Sequence, residues 1–283
     1  MPSTYAHERF GNLVLEHLDE TLKKEIKNEE EVFHIGLQGP DLLFYCDPLR
    51  KNGVSDAGHD MHKMSGTEFF GRETEILEKL SRSARETGRI YLLGVLCHFV
   101  LDAMCHVYIN RYEREHGVRH AVIEGAFDRS LIAAEGRIPV EEDIVKNFHP
   151  SRRAGKIIGL LYEEQGEKIM YKSMRRFKFF HGVLRCPGDL KRNLIYAGLK
   201  VLGQYDTLRG HITTKYEDPE CAESSLYLQK RLIEAVPAAC RLLEAFPCGL
   251  DDELYRFDFG GKEKKSSVRK PIHADLISAG DPV

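Results

Sequence analysis

His98, Asp102 and His106 stand four residues apart in one apolar run that extends from Ile90 to Ile109. On a helix each four-residue step turns the side chain by about 40° and climbs about 6 Å, so the three point roughly the same way. They are the only histidines or charged residues between Arg89 and Arg111. Burying such groups without partners costs several kcal/mol, and a bound metal removes that cost. His98 and His106 start about 12 Å apart along the axis, while a zinc–nitrogen bond is about 2.0–2.1 Å. One tetrahedral ion cannot easily take both imidazoles from a straight helix. The pattern asks for a multinuclear site, with Asp102 ligating one ion or bridging to a neighbour.

The next segment repeats the device. His120 and Glu124 are again four apart, Asp128 follows four further on, and Val122, Ile123 and Phe127 supply an apolar face. His120 and Glu124 would add ligands to the ion held by His106, while Asp128, one turn deeper, is expected to orient a histidine from behind. Asp41 follows the bend Gly36-Leu37-Gln38-Gly39-Pro40, and His7 sits on the first helical turn. His59 and His62 share the stretch Gly58-His59-Asp60-Met61-His62, and either could face the site. His, Asp and Glu without cysteine form a nitrogen and oxygen donor set suited to catalytic zinc and, after it, manganese or iron. His17, His34, His116, His149, His211 and His273 are expected on surfaces or in the core.

Helices must hold these groups. Apolar residues recur every three to four positions through most of the chain, and strand-like alternation is scarce. Phe10, Leu13, Val14 and Leu18 form a stripe near the N-terminus, and Thr67 is the expected N-cap of a helix through Phe69, Phe70, Ile76, Leu77 and Leu80. The run from Arg89 to about Tyr112 is apolar on nearly every side, which puts it in the middle of a bundle. Further helical patterns cover about 119–134, 152–180, 189–205 and 221–246, and Pro237 should kink or divide the last. Glycines and prolines mark 36–48 and 51–66 as loops. The chain thus reads as one all-α, multi-helix domain over 1–259, followed by a polar, mobile tail over 260–283 with one apolar patch at Ala274 to Ile277.

Composition narrows the partners. The chain has 283 residues, 41 Lys plus Arg against 44 Asp plus Glu, and a net charge of −3. Duplex nucleic acid is held through many displaced counterions, so stable duplex binding is not expected of so neutral a chain. No stretch approaches the roughly 20 consecutive apolar residues of a transmembrane helix, and the N-terminal residues lack the basic-then-apolar layout of a secretion signal. Seven scattered cysteines, including Cys46, Cys97 and Cys105 in apolar runs, read as reduced thiols of a cytoplasmic protein. Lys172, Arg175, Arg176, Lys178 and Arg185, interleaved with Phe177, Phe179 and Phe180, suit anionic headgroups or a nucleic-acid strand, although a solvated basic helix face is the favoured reading.

In order, Thr4-Tyr5-Ala6-His7 with Phe10-Gly11, Gly39-Pro40-Asp41, Met61-His62, His98-x3-Asp102-x3-His106 and His120-x3-Glu124 form a set that resembles the zinc-dependent phospholipase C family. That family is related to the zinc-dependent single-strand nucleases. The resemblance spans about residues 4–135 and implies an all-α fold with two to three zinc ions in a cleft. It implies a first zinc on His62, His98 and Asp102, a second on His106, His120 and Glu124, and a third on His7 and Asp41, with Asp102 or Asp41 bridging. It also implies phosphodiester hydrolysis, with Asp41 as the catalytic base that orients water and a phospholipid headgroup or other phosphodiester as substrate. Tyr5, Phe44, Tyr45, Phe69 and Phe70 are then either the lining of an apolar cleft or core.

Two other readings compete. His59-Asp60 is the dipeptide of the histidine-aspartate-motif metal phosphohydrolases, which carry it within a helix, whereas Gly53, Gly58 and Gly66 surround it here. The other is a non-catalytic helical scaffold that keeps zinc for stability.

Overall fold

In the computed structural model, which describes residues 3–264 apart from 49, 51, 163 and 164, the chain begins with α1 (Thr4–His17), α2 (Glu20–Lys27) and α3 (Glu30–Gly36). A 3-10 segment (Gly39–Tyr45) leads to α4 (Gly53–Lys63), α5 (Gly66–Lys79), α6 (Arg82–His116) and α7 (His120–Ala134). Then come α8 (Arg152–Leu161), α9 (Gly166–Leu184), α10 (Asp189–Val201), the short α11 (Tyr205–Leu208) and α12 (Ala222–Ala245). The fold is all-α. Extended pairing among the described residues is limited to isolated bridges, Ser65 with Asp258 and Phe257 with Glu263.

Helix α6 is the axis. The Ser81 hydroxyl caps it by accepting from the Ala84 N–H, so the helix starts ahead of the apolar run. Helices α1, α3, α5, α7, α8 and α12 pack around it. Contrary to the expectation that no stretch approaches a membrane span, it is long and apolar enough to cross one, but 89% of its most apolar window is buried inside the fold, which makes it the core helix. Tyr91, Leu92, Leu96, Phe99 and Val100 are fully inaccessible. Each such side chain contributes about 1.5–3 kcal/mol of burial free energy. That surplus offsets the cost of placing His98, Asp102 and His106 on the same buried helix.

Several expected boundaries shift. Residues 51–66, expected as a loop, contain α4. Asn52 and Ser55 form a reciprocal capping box at its start, and Met61 anchors it in the core. Gly53 and Gly58 lower local helix propensity by about 1 kcal/mol each, which hides the helix from a propensity reading. Ser65, not Thr67, caps α5, with its hydroxyl accepting from Glu68 N–H. The 152–180 pattern divides into α8 and α9, because Tyr162 leaves helical geometry (φ −92°, ψ 61°); the two helices pack on each other, so the apolar period carries across the break. The 189–205 pattern ends as a helix at Val201. Pro237 does not divide α12, since Ala235, Val236 and Ala239 around it are packed in the core.

The expected mobile tail is folded at its start. Phe259 is fully buried, the Asp258 N–H donates to the Lys262 carbonyl at 2.9 Å, and the Lys264 N–H donates to the Arg256 carbonyl at 2.8 Å. Residues 265–283, including His273 and the Ala274–Ile277 patch, lie outside the described residues.

Candidate metal centre

Four helices and the 3-10 segment converge on one buried cluster. Helix α1 brings His7, the 3-10 segment Asp41, α4 His62, α6 its three polar residues, and α7 His120 and Glu124. Ligand atoms of His106, His120 and Glu124 lie within 4.8 Å of one another; so do those of Asp41, His62 and His98, and those of His7, His98 and Asp102. His98 and His106 belong to different groups, as their separation along α6 requires. Asp102 stands between them, with Oδ2 3.2 Å from His98 Nε2 and Oδ1 3.7 Å from His106 Nε2. Its Oδ1 is also 3.3 Å from His7 Nε2. The grouping departs from the implied assignment in one respect: His62 pairs with Asp41 and Asp102 with His7, His98 being common to both.

Backbone carbonyls decide which ring nitrogens face the cluster. The Nδ1–H of His98 donates to Leu37 O at 3.1 Å, that of His62 to Gly58 O at 2.7 Å, and that of His106 to Phe259 O at 2.7 Å. With Nδ1 holding the proton, each neutral ring presents its Nε2 lone pair inward. Those lone pairs meet carboxylate oxygens. His62 Nε2 is 2.8 Å from Asp41 Oδ1, and Glu124 Oε1 is 3.1 Å from His106 Nε2 and 3.2 Å from His120 Nε2. Two lone pairs at such range require a cation between them, either a second proton on the ring or a metal. His98 Nε2, His7 Nδ1 and Glu124 Oε2 are buried without a hydrogen-bond partner.

The electrostatics agree. Burial opposes charge on every group, yet Asp102 and Glu124 raise the His106 imidazole to about 10. Burial alone would raise the Asp102 carboxyl, but His106 and His98 hold it well below the usual carboxylate range. Against the same burial effect, His120 and His106 depress Glu124. Burial also works to lower His98, but Asp102 and Asp41 raise it overall. His7, stacked on His98 with ring centroids 4.0 Å apart, is lowered by burial and by its neighbour. Three carboxylates among five imidazoles, with nitrogen and oxygen atoms left unpartnered, make the donor set of a divalent-cation site.

Two expectations change. Asp128 is bonded to backbone and not to an imidazole: its two oxygens accept from the N–H groups of Tyr5 (3.1 Å) and Ala6 (2.8 Å), so it fixes the start of α1, which carries His7. Burial raises its carboxyl well above the usual range. His59 and Asp60 do lie in a helix, but both are exposed: the His59 ring packs on Phe44 at 4.6 Å and Asp60 pairs with Lys63, and neither joins the buried ligand groups. That leaves the histidine-aspartate-motif reading without a site. No sequence signal marks the three carbonyls, nor Glu113, whose Oε1 accepts the His120 backbone N–H at 3.1 Å. Glycine at position 39 is required by geometry: φ is +49°, and a Cβ there would sit 2.9 Å from the His98 ring.

Beside the cluster lies an apolar cavity of about 410 Å³, lined by Phe44, Tyr45, Phe180, Val183, Leu199 and Leu208, among others. The Phe44 ring is 5.5 Å from the His62 ring. Tyr5, Phe69 and Phe70 are core instead. On α9, Arg176 donates to Cys46 O and Lys178 to Phe148 O, and just past its end Arg185 donates to Glu141 O, so these cations tie segments together. Lys172 and Arg175 remain exposed.

Comparison with known proteins gives no match to a curated protein and none to a solved structure. The family model described as "Zinc dependent phospholipase C" matches residues 6–172, more than half of the chain, and that span takes in every one of the converging residues. The chain belongs to the zinc-dependent phospholipase C family.

Proposed function

We propose that this protein hydrolyses phosphodiesters, phospholipids foremost, at a centre of two to three zinc ions. One observation carries the reading: the Nε2 atoms of His62 and His106 face carboxylate oxygens while their Nδ1 atoms are committed to carbonyls. The donor set fits zinc, because it combines neutral imidazole nitrogen with carboxylate oxygen and leaves buried atoms that nothing else satisfies. His106, His120 and Glu124 would hold one ion; Asp41, His62 and His98, with His7 and Asp102, would hold the rest. Bound zinc supplies Lewis-acid withdrawal of charge from a phosphoryl oxygen and a lower pKa for an attacking water.

The chain's own residues do the remaining work. Asp41 is the general base: it orients the attacking water and takes its proton, with His62 at 2.8 Å fixing the carboxylate. Asp102 and Glu124 balance cationic charge in a buried pocket. The carbonyls of Leu37, Gly58 and Phe259 keep the imidazoles in the ligating tautomer. Phe44 and Tyr45 set an apolar wall next to Asp41, which suits the hydrocarbon part of a phospholipid. The seven free cysteines support a reducing, cytoplasmic location.

The test is turnover by zinc-loaded protein of a chromogenic phosphodiester and of short-chain phosphatidylcholine. Hydrolysis of either supports the proposal. Fully metallated protein that turns over neither is the zinc-binding scaffold instead.

A further inference from the structure

Helix α10 carries apolar residues on two opposite sides, and the fold covers only one. Leu199 lines the cavity beside Phe44. Leu190, nine positions earlier, is turned about 180° from it, and Leu194 and Val201 fall within about 40° of Leu190. Those three residues are 77%, 65% and 87% exposed, and α10 buries no residue at all. On α9, Phe179 is a further exposed apolar side chain, at 63%. The surroundings are cationic: residues 166–202 contain nine Lys and Arg against two acids, Glu167 and Asp189, in a chain of net charge −3. Lys172, Arg175, Lys191 and Lys200 among them are exposed. Residues 173–202, all of α10 included, lie beyond the part of the chain that the family model matches.

We propose that α10 is an interfacial helix that seats the protein on an anionic phospholipid surface. Leu190, Leu194 and Val201 enter the boundary between headgroups and acyl chains, and the flanking cations meet lipid phosphates. A second copy of this chain fits the stripe less well, because it would set two basic faces against each other. The same helix, through Leu199, walls a cavity whose apolar lining suits an acyl chain and whose Phe44 borders His62. The inference rests on the reading of the metal centre as a phospholipid hydrolase, and its primary readout is binding, not turnover.

The experiment is co-sedimentation of the zinc-loaded full chain with vesicles of phosphatidylcholine, alone or mixed with phosphatidylglycerol. Binding to the mixed vesicles, weakened by salt, is expected, with about tenfold or greater loss in the double variant Leu194→Gln, Val201→Gln. Both side chains are exposed, so the variant should keep the parent's melting temperature. It should also keep the parent's rate on a soluble chromogenic phosphodiester, which separates failure of this inference from failure of the metal-centre reading. Three results overturn it: a parent that does not bind the mixed vesicles, a double variant that binds as well as the parent, or a parent dimer that the double variant dissolves.

Discussion

The carbonyl oxygen of Phe259 accepts the Nδ1–H of His106 at 2.7 Å across 153 positions of sequence. A segment near the end of the described chain therefore sets the tautomer of a residue on the central helix. Gly261 makes the approach feasible: its φ is +71°, and a Cβ there would lie 2.8 Å from Ala103 O and 2.7 Å from a Val107 methyl, both on α6. Gly261→Ala should push the segment away from α6. We expect zinc affinity at the His106, His120, Glu124 group to fall about 10–100-fold, the usual effect of losing such a supporting bond. Competition with a chromophoric chelator measures it; unchanged affinity would show that the carbonyl does not matter.

Asp41→Asn and Asp102→Asn should separate catalysis from metal retention. Asp102 lies among His7, His98 and His106 at 3.2–3.7 Å, so its charge acts on all three. Its amide variant should release metal and lower the melting temperature together with activity. Asp41 belongs to one group only, through His62 and His98. Its replacement should cost about 10²–10⁴-fold in hydrolysis, the range of a lost general base, while at least two zinc equivalents remain by elemental analysis. Full turnover by Asp41→Asn would remove the base assignment.

Zinc content itself is predictable. His98 and His106 sit in separate ligand groups, so reconstituted protein should carry at least two zinc equivalents per chain. A content below one would eliminate the cluster. Chelation should lower the melting temperature, because a ligand present at about 100 times its Kd stabilises the folded state by about 2.7 kcal/mol.

His181 gives a pH dependence that is independent of the metal. Burial lowers its pKa from an ordinary 6.5 to about 4, outweighing the bond from its Nδ1 to Phe177 O, and its Nε2 lies 3.1 Å from the Thr4 hydroxyl. The unfolded chain therefore binds a proton between about pH 6.5 and 4 that the folded chain refuses. Stability from this residue is present above pH 6.5 and is lost as the pH falls through that window. In chelator-treated protein, His181→Gln should remove part of the fall in melting temperature between these pH values. Identical acid profiles for parent and variant would show that His181 does not titrate as described.

By itself the sequence determined the helical class and the two polar ladders. The four-residue spacing of His98, Asp102 and His106, and of His120 and Glu124, is a local property that any helix converts into a common direction. The same local logic separated His98 from His106 before any contact was known. What the tertiary structure decided depends on contacts distant in sequence. His62 rather than His59 enters the cluster because α4, capped by Asn52 and Ser55, brings His62 to Asp41 and leaves His59 exposed against Phe44. Asp128 serves α1, 122 positions away, and Phe259 serves α6. Such pairings leave no periodic trace: a backbone carbonyl looks the same at every residue, and only packing decides which one meets an imidazole. The donor types were written in the chain; the orientation of each nitrogen was settled when the helices closed around α6.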